Sequence, residues 1–290
     1  MSEKNESFRD SIGTVEKDGK RHWIYPKRPV GKFYNWRSYA SWVYLAVFAV
    51  LPWIKMNGHP LFLFNIFERK FILFGKIFWP QDFFLFVLGM LTFMVFIVLF
   101  TVVFGRLFCG WVCPQTIFME MVFRKIEYWI EGDGEKQRRL SAQPWDTEKI
   151  LKRGGKVLAF ILVSFVIAHY FLAYLIGMDN VVLYISEGIT KHIAAFAPLV
   201  IFTAIFSFVY LWFREQACII VCPYGRLQGV LLDKHSIVVA YDYLRGEKRA
   251  RFNRHEERTA GDCVDCGDCV KVCPTGIDIR NGTQMECVAC

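Results

Sequence analysis

"FFLFVLGMLTFMVFIVLFTVVFGRLFCGWVCPQ" (Phe83–Gln115) decides the reading of this chain. Its first 22 residues carry no charge and are mostly Phe, Leu and Val. A hydrocarbon core takes ~20 such residues as one helix, so a membrane-spanning helix is expected over Asp82–Phe104. Past its end come Arg106, Cys109, Cys113 and Pro114. An apolar span that runs straight into C-x3-C-P joins lipid burial to thiol or metal chemistry.

The same device recurs. The apolar segment Ile193–Phe213 is followed by Cys218 and Cys222-Pro223, and the cysteines stand five and nine residues past Phe213, as Cys109 and Cys113 do past Phe104. Two further segments reach or approach spanning length, Tyr39–Met56 and Val157–Gly177. Pro52 and Pro198 are tolerable inside them, because neighbouring helices re-satisfy a freed carbonyl. With 54% hydrophobic and 17% aromatic residues in 290, the composition excludes an ordinary soluble domain. The fold class expected is an α-helical integral membrane protein of four transmembrane helices in two hairpins, each closing on C-x3-C-P (109–114 and 218–223). A C-terminal α+β ferredoxin-like module follows it.

Lys and Arg crowd into residues 1–38, 105–156 and 214–290 and are sparse in 57–82 and 178–192. The positive-inside rule then places both ends and the long middle loop in the cytoplasm. The charged start "MSEKNESFRD" has no apolar core, so no cleaved signal peptide is expected. The net charge of +8 reads as a topology signal with attraction to anionic membrane lipid. No recognition motif accompanies it, so nucleic acid is not expected as a partner. The organisation is a basic cytoplasmic arm (1–38), a four-span membrane domain (39–232), a basic linker (233–260) and the ferredoxin module (261–290). The loop 57–82 is too apolar to be free and is expected at the interface. Ser236–Tyr243, "SIVVAYDY", reads as a short strand.

The chain closes on "GDCVDCGDCVKVCPTGIDIRNGTQMECVAC" (Gly261–Cys290). Cys263, Cys266, Cys269 and Cys273-Pro274 match the C-x2-C-x2-C-x3-C-P run of bacterial ferredoxins, whose fourth cysteine ligates the other cluster. Two-residue gaps let a tight loop aim three thiolates at one cluster, with backbone N–H groups facing the sulfurs. On that pattern Cys263, Cys266 and Cys269 serve a first [4Fe-4S] cluster. Cys273, Cys287 and Cys290 serve a second. Each set is one ligand short, so the module is expected to be incomplete at Cys290; a natural end with one rearranged cluster is the alternative. A zinc site would take paired C-x2-C knuckles. A disulfide framework belongs mainly to small secreted domains.

At the membrane edge, i, i+4 spacing on a helix would put both sulfurs of each C-x3-C-P on one face. Pro114 and Pro223 would break that helix or start the next. Arg106 and Arg214 lie nearby, and cations favour thiolate. Cys109, Cys113, Cys218 and Cys222 therefore read as a redox relay or metal site, or else as buried structural cysteines. His169 reads as a hydrogen-bonded helix–helix histidine, with a haem or copper ligand as the alternative. Met56, His59, Met178 and His192 could bring thioether and imidazole together as a copper site; methionines at span ends are also common filler.

Taken together, "RLFCGWVCPQ" (106–115), "CIIVCPYGRLQ" (218–228) and the cysteine tail resemble the cytochrome c oxidase accessory proteins of the CcoG/FixG/RdxA type. "RKFILFGKIFWPQD" (69–82) and "AYDYLRGEKRARFN" (240–253) are similar as well. The resemblance implies a bacterial inner-membrane protein with two cytoplasmic [4Fe-4S] clusters. It also implies a cupric reductase-like oxidoreductase that takes Cu(II) as substrate and supplies Cu(I) during assembly of cbb3-type oxidase. Oxidase subunits or copper chaperones are the implied partners, and a further span and C-terminal domain are implied beyond Cys290. The cytosolic electron donor is not legible. Two alternatives stand beside it: a quinol dehydrogenase-like membrane iron–sulfur subunit, and a non-catalytic scaffold for oxidase assembly.

Overall fold

The computed structural model describes residues 13–16, 18–56, 58–65, 70–79, 81, 83–188, 193–232, 236–251, 261–282, 284 and 286–288. The fold is mostly helical. Helix α1 covers Lys32–Val50, α2 Phe83–Phe104, α7 Thr147–Ile176 and α9 Ile193–Phe208. Between α2 and α7 run α3 (Leu107–Trp111), α4 (Pro114–Ile117), α5 (Arg124–Ile130) and α6 (Gly134–Ala142). Three stretches among the described residues are long and apolar enough to cross a membrane: Phe84–Phe104, Thr147–Ile176 and Phe196–Phe213.

Helix α2 leaves nearly every side chain on its surface, including Phe84, Leu88, Phe93 and Leu99. An apolar helix exposed all round is one that faces lipid. Helix α7 is longer than the apolar segment that announced it. Asp146 caps it by accepting the Thr147 N–H at 2.7 Å, and its first turns, from Thr147 to Lys156, are polar. At 1.5 Å per residue its 30 residues extend about 45 Å, beyond one hydrocarbon core. It packs along α9 and ends at Gly177, whose φ of 88° suits glycine.

The segment expected to span at Tyr39–Met56 is displaced. Its helix begins seven residues earlier, at Lys32, and stops at Val50. Pro52 sits in a single 3-10 turn, Leu51–Trp53, and Lys55 has already joined a strand. Proline has no N–H to continue the ladder, and Lys55 pairs with Asp179 at 2.6 Å.

The apolar loop after it is a small sheet. Strands β1 (Lys55–Met56) and β2 (His59–Pro60) form a short hairpin, and β3 (Phe62–Asn65), β4 (Lys70–Leu73) and β5 (Lys76–Phe78) an antiparallel meander. Phe74 and Gly75, with φ of 51° and 72°, turn β4 into β5, the backbone twist a two-residue hairpin loop needs. The meander packs on α7. Between α7 and α9 lies helix α8 (Met178–Glu187), where a short loop was expected. The strand expected at Ser236–Tyr243 is absent: Ser236–Asp242 forms no ladder, and α11 (Tyr243–Gly246) starts there, capped by Asp242.

The core lies at the C-x3-C-P end of the helices. Phe118, Met119, Phe123, Phe160, Ile167 and Tyr210 form one cluster, joining the segment after the first motif to α7 and to the end of α9. Phe123 stacks on Tyr210 with ring centroids 4.4 Å apart. Three π-helical turns interrupt the helices around this core: Phe118–Phe123, Val209–Phe213 and Ala217–Val221. Such turns gather at functional sites.

Candidate redox centres

The two C-x3-C-P motifs fold alike. Cys109 lies in α3 and Cys113 follows as the residue before α4, with Pro114 at the first helical position. Cys218 lies in the π-helical turn Ala217–Val221 and Cys222 precedes α10 (Pro223–Leu231), with Pro223 first. In both, the second cysteine closes a wide turn: Cys113 N–H donates to the Phe108 carbonyl at 3.0 Å and Cys222 N–H to the Ala217 carbonyl at 2.9 Å. The expectation of one continuous helix with both sulfurs on one face is therefore corrected. Each pair straddles a break, because proline fits the first turn of a helix and not its interior.

The two pairs meet. Cys109 lies within electrostatic reach of Cys113 and Cys222, and Cys218 within reach of Cys113, Cys109 and Cys222. The thiol of Cys109 donates to Gln228 Oε1 at 2.7 Å. Gln228, fully buried on α10, donates in turn to Thr101 Oγ1 at 3.1 Å and Tyr224 Oη at 2.7 Å. One amide thus ties the first motif, the end of α2 and the helix after the second motif together. Burial pushes the Cys109 thiol up to about 11, against the opposing Arg106 guanidinium. Burial and the other three sulfurs push Cys218 up to about 12. The expectation that nearby arginines make these thiolates is overturned: desolvation outweighs Arg106, and Arg214 is engaged elsewhere. The nine described cysteines are free thiols. Among the described residues no three His, Cys, Asp or Glu side chains are arranged as a metal-ion site.

A buried ionic network backs the second motif. Arg214 grips Glu127 through two nitrogens at 3.1 and 2.8 Å, and Lys156 reaches the same carboxylate at 3.3 Å. Lys156 also pairs with Glu131 at 2.9 Å, Arg124 with Glu120 at 3.0 Å, and Arg21 with Glu215 at 3.4 Å. Glu127 is 2% exposed and Arg124 1%. Burial alone would raise the Glu127 carboxyl, but Arg214, Lys156 and Arg124 hold it below the usual carboxylate range. Arg214 has a φ of 52°, in the left-handed region rarely held by a non-glycine residue. The ion pairs hold that turn four residues before Cys218.

In the C-terminal module the ligand loop winds through two left-handed residues, Asp265 (φ 49°) and Gly267 (φ 71°), into α12 (Asp268–Lys271), which carries Cys269. Cys273 follows that helix, and the Ile277 N–H donates to its sulfur at 3.4 Å. Arg280 clamps the loop, binding Asp265 at 2.7 Å and Asp278 at 2.7 Å. Burial raises the Cys269 thiol while Arg280 opposes it. A thiol-rich loop with a backbone N–H on sulfur fits an iron–sulfur cluster in donor type. Cys263, Cys266 and Cys287 are also described; Cys290 lies outside the described residues.

Of the copper candidates, Met56 and His59 face each other across the β1–β2 hairpin. The Lys55–Asp179 pair brings that hairpin to the start of α8, where Met178 stands. His192 lies outside the described residues. The His169 Nδ1 bonds the Phe165 carbonyl on its own helix at 2.8 Å, not a neighbouring helix. Sequence reasoning missed Gln228 and Glu127. Gln228 had one weak signal, its place at i+4 from Tyr224 on the helix the second motif starts; Glu127 had none beyond its charge.

Two family models match: a 4Fe-4S dicluster domain over residues 213–290 and a 4Fe-4S binding domain over residues 86–132. The chain is similar to the nitrogen fixation protein FixG of Rhizobium meliloti, 36% identical over 289 residues, which cover 93% of this chain and 53% of FixG. It is similar to protein RdxA of Cereibacter sphaeroides, 36% identical over 274 residues, covering 92% of this chain and 57% of RdxA. Protein RdxB of the same organism is 35% identical over 277 residues, covering 92% and 57%. The chain spans little more than half the length of these relatives. No solved structure matches.

Proposed function

We propose that this chain, which belongs to the family of FixG and RdxA and is an iron–sulfur electron-transfer protein with membrane helices, reduces Cu(II) to Cu(I) at its four membrane-edge thiols. The observation that carries the reading is the meeting of Cys109, Cys113, Cys218 and Cys222 in one buried place. Two pairs from distant parts of the chain make one sulfur-lined centre. Bound [4Fe-4S] clusters supply one-electron storage. Cys263, Cys266 and Cys269 hold one, and Cys273, Cys287 and Cys290 contribute to the other. The four membrane-edge thiols receive copper as substrate: Cu(II) takes up one electron and becomes Cu(I), the state soft sulfur ligands select. Gln228 and Arg106 hold Cys109 in place and partner its proton until metal displaces it. Met56, His59, Met178 and His192 are the route by which cuprous ion leaves, toward oxidase subunits or a copper chaperone.

In this reading α1 is a fourth span, paired with α2 as α7 is with α9, in a bacterial inner membrane. The arm (1–38), the linker (233–260) and the ferredoxin module (261–290) face the cytoplasm around a membrane domain of 39–232. The test is anaerobic reduction of Cu(II) by the reconstituted protein, followed with a cuprous chelator. The double variant Cys109→Ala, Cys218→Ala is expected to lose at least nine-tenths of the rate with its iron content intact; an unchanged rate removes the thiols from the reaction.

A second reading, quinol oxidation, is favoured by one feature. A cavity of about 560 Å³ lies among Phe48, Phe171, Tyr174, Pro198 and Phe202, large enough and apolar enough for a quinone ring. Quinol-dependent bleaching of the iron–sulfur absorbance would support it over copper reduction.

A further inference from the structure

The basic arm ahead of α1 is bound along both redox modules. Its first described part is a turn: Glu16 N–H donates to the Lys20 carbonyl at 2.8 Å, His22 N–H to the Thr14 carbonyl at 2.9 Å, and Val15 bridges Arg21. Thr14 is fully buried, and its carbonyl accepts Gln216 Nε2 at 3.3 Å, two residues before Cys218. Arg21 donates to the Phe213 carbonyl and pairs with Glu215, each at 3.4 Å. The Trp23 ring lies under the Arg21 guanidinium at 3.8 Å, with Arg214 at 5.9 Å. These contacts fix the arm to the turn that carries the second C-x3-C-P.

On its other side the arm holds the ferredoxin module. Ile24 is buried against Gly276, where an added Cβ would lie 2.6 Å from Ile24 Cδ1. A Cβ on Gly13 would meet the Gly276 carbonyl at 2.9 Å, so backbone lies on backbone. The Lys27 N–H donates to the Lys271 carbonyl at 2.8 Å, and its ammonium pairs with Asp268 at 3.3 Å. Beyond, Tyr128 Oη donates to the Pro26 carbonyl at 3.1 Å, and the Arg28 N–H to Asp133 Oδ1 at 2.8 Å. Gly276 is three residues from Cys273, and Arg214 four from Cys218.

We propose that residues 13–28 are a bracket that seats the ferredoxin module against the second C-x3-C-P motif, with Trp23 and Ile24 filling the gap between Cys273 and Cys218. Electron transfer between two centres falls steeply as their separation grows, so a bracket that fixes that separation sets the rate of transfer. The arm acts as a positioning segment through contacts that hold whatever the electrons finally reduce.

The test uses the full chain in lipid nanodiscs, with Ile24→Ala, the wedge Gly13→Val and the conservative control Ile24→Val. Hydrogen exchange at the Lys27 amide and across residues 268–277 reads the docking directly. Both disruptive variants are expected to exchange at least tenfold faster there, with iron content and helix content unchanged, and Ile24→Val is expected to stay close to the parent. Reoxidation of the dithionite-reduced absorbance by Cu(II) is expected to slow at least tenfold in the same two variants and to be restored in Ile24→Val. Unchanged exchange in both variants overturns the proposal, as does faster exchange with an unchanged reoxidation rate. A parent protein that Cu(II) fails to reoxidise would sink the copper reading alone, since exchange still judges the docking. Where Ile24→Ala does not fold, Gly13→Val decides.

Discussion

Replacing Glu127 by Gln keeps the shape of the side chain and removes its charge. In the structure that charge answers Arg214 at 2.8 and 3.1 Å and Lys156 at 3.3 Å, with Glu127 only 2% exposed. Arg214 retains Glu215 at 3.6 Å and Lys156 retains Glu131 at 2.9 Å, but each loses its partner on α5. Breaking a buried pair by removing one member costs about 3–5 kcal/mol, because the other charge stays buried without compensation. At roughly 2–4 °C per kcal/mol for a chain of this size, the thermal midpoint in detergent falls by roughly 6–20 °C. The dependence on pH has a definite sign. The Glu127 carboxyl is held below its ordinary value, so its stabilisation is present above the unfolded value of ~4.3 and is lost as pH falls through the lower folded value. The parent and Glu127→Gln should therefore differ most near neutrality and converge in acid. The assay is thermal unfolding at pH 7 and at pH 4, followed by near-ultraviolet circular dichroism. A variant that melts within about 2 °C of the parent at pH 7 would refute the claim that this network holds the turn before Cys218.

Three further outcomes follow from the same structure. In the folded, metal-free chain Cys109 sits at about 11 against an ordinary 9.0, so at pH 8 its thiolate fraction is ~100-fold smaller than that of the unfolded thiol. Mass-spectrometric alkylation at pH 8 should lag the denatured control by at least that factor and accelerate as pH rises. Gln228→Leu removes the acceptor of the Cys109 thiol and the donor to Thr101 and Tyr224; leaving such groups unpaired costs about 1–3 kcal/mol, read as a lower denaturation midpoint. Arg280→Met frees Asp265 and Asp278 and should lower iron retained per chain after anaerobic reconstitution by at least half, while apo-chain helix content stays the same.

The spans of α2, α7 and α9 were legible because a long uncharged run has few solutions in water. The C-x3-C-P echo was legible because the spacing from each span's end is the same, and the ferredoxin tail because ligand spacing is local. What escaped depends on distant pairing. The polar start of α1, Lys32–Ser38, hides a helix that the apolar pattern places later. The apolar loop 57–82 alternates too weakly to announce a meander, whose register comes from the Phe74–Gly75 turn. Arg214 stands close enough to Cys218 in sequence to suggest a thiolate partner, yet it turns to Glu127, 87 positions away. Gln228 has no motif, and only the meeting of α10 with α2 gives it its role.

The wide π turns carry a consequence for how the protein can vary. Each of Phe118–Phe123, Val209–Phe213 and Ala217–Val221 stores one residue more than the α-helix it interrupts. A point substitution there leaves the downstream register intact. Deleting one residue would let the helix close normally and swing everything after it by about 100° around the axis, carrying a sulfur out of the shared centre. Length differences among relatives should therefore be absent from these three windows, even where the residues within them have drifted freely.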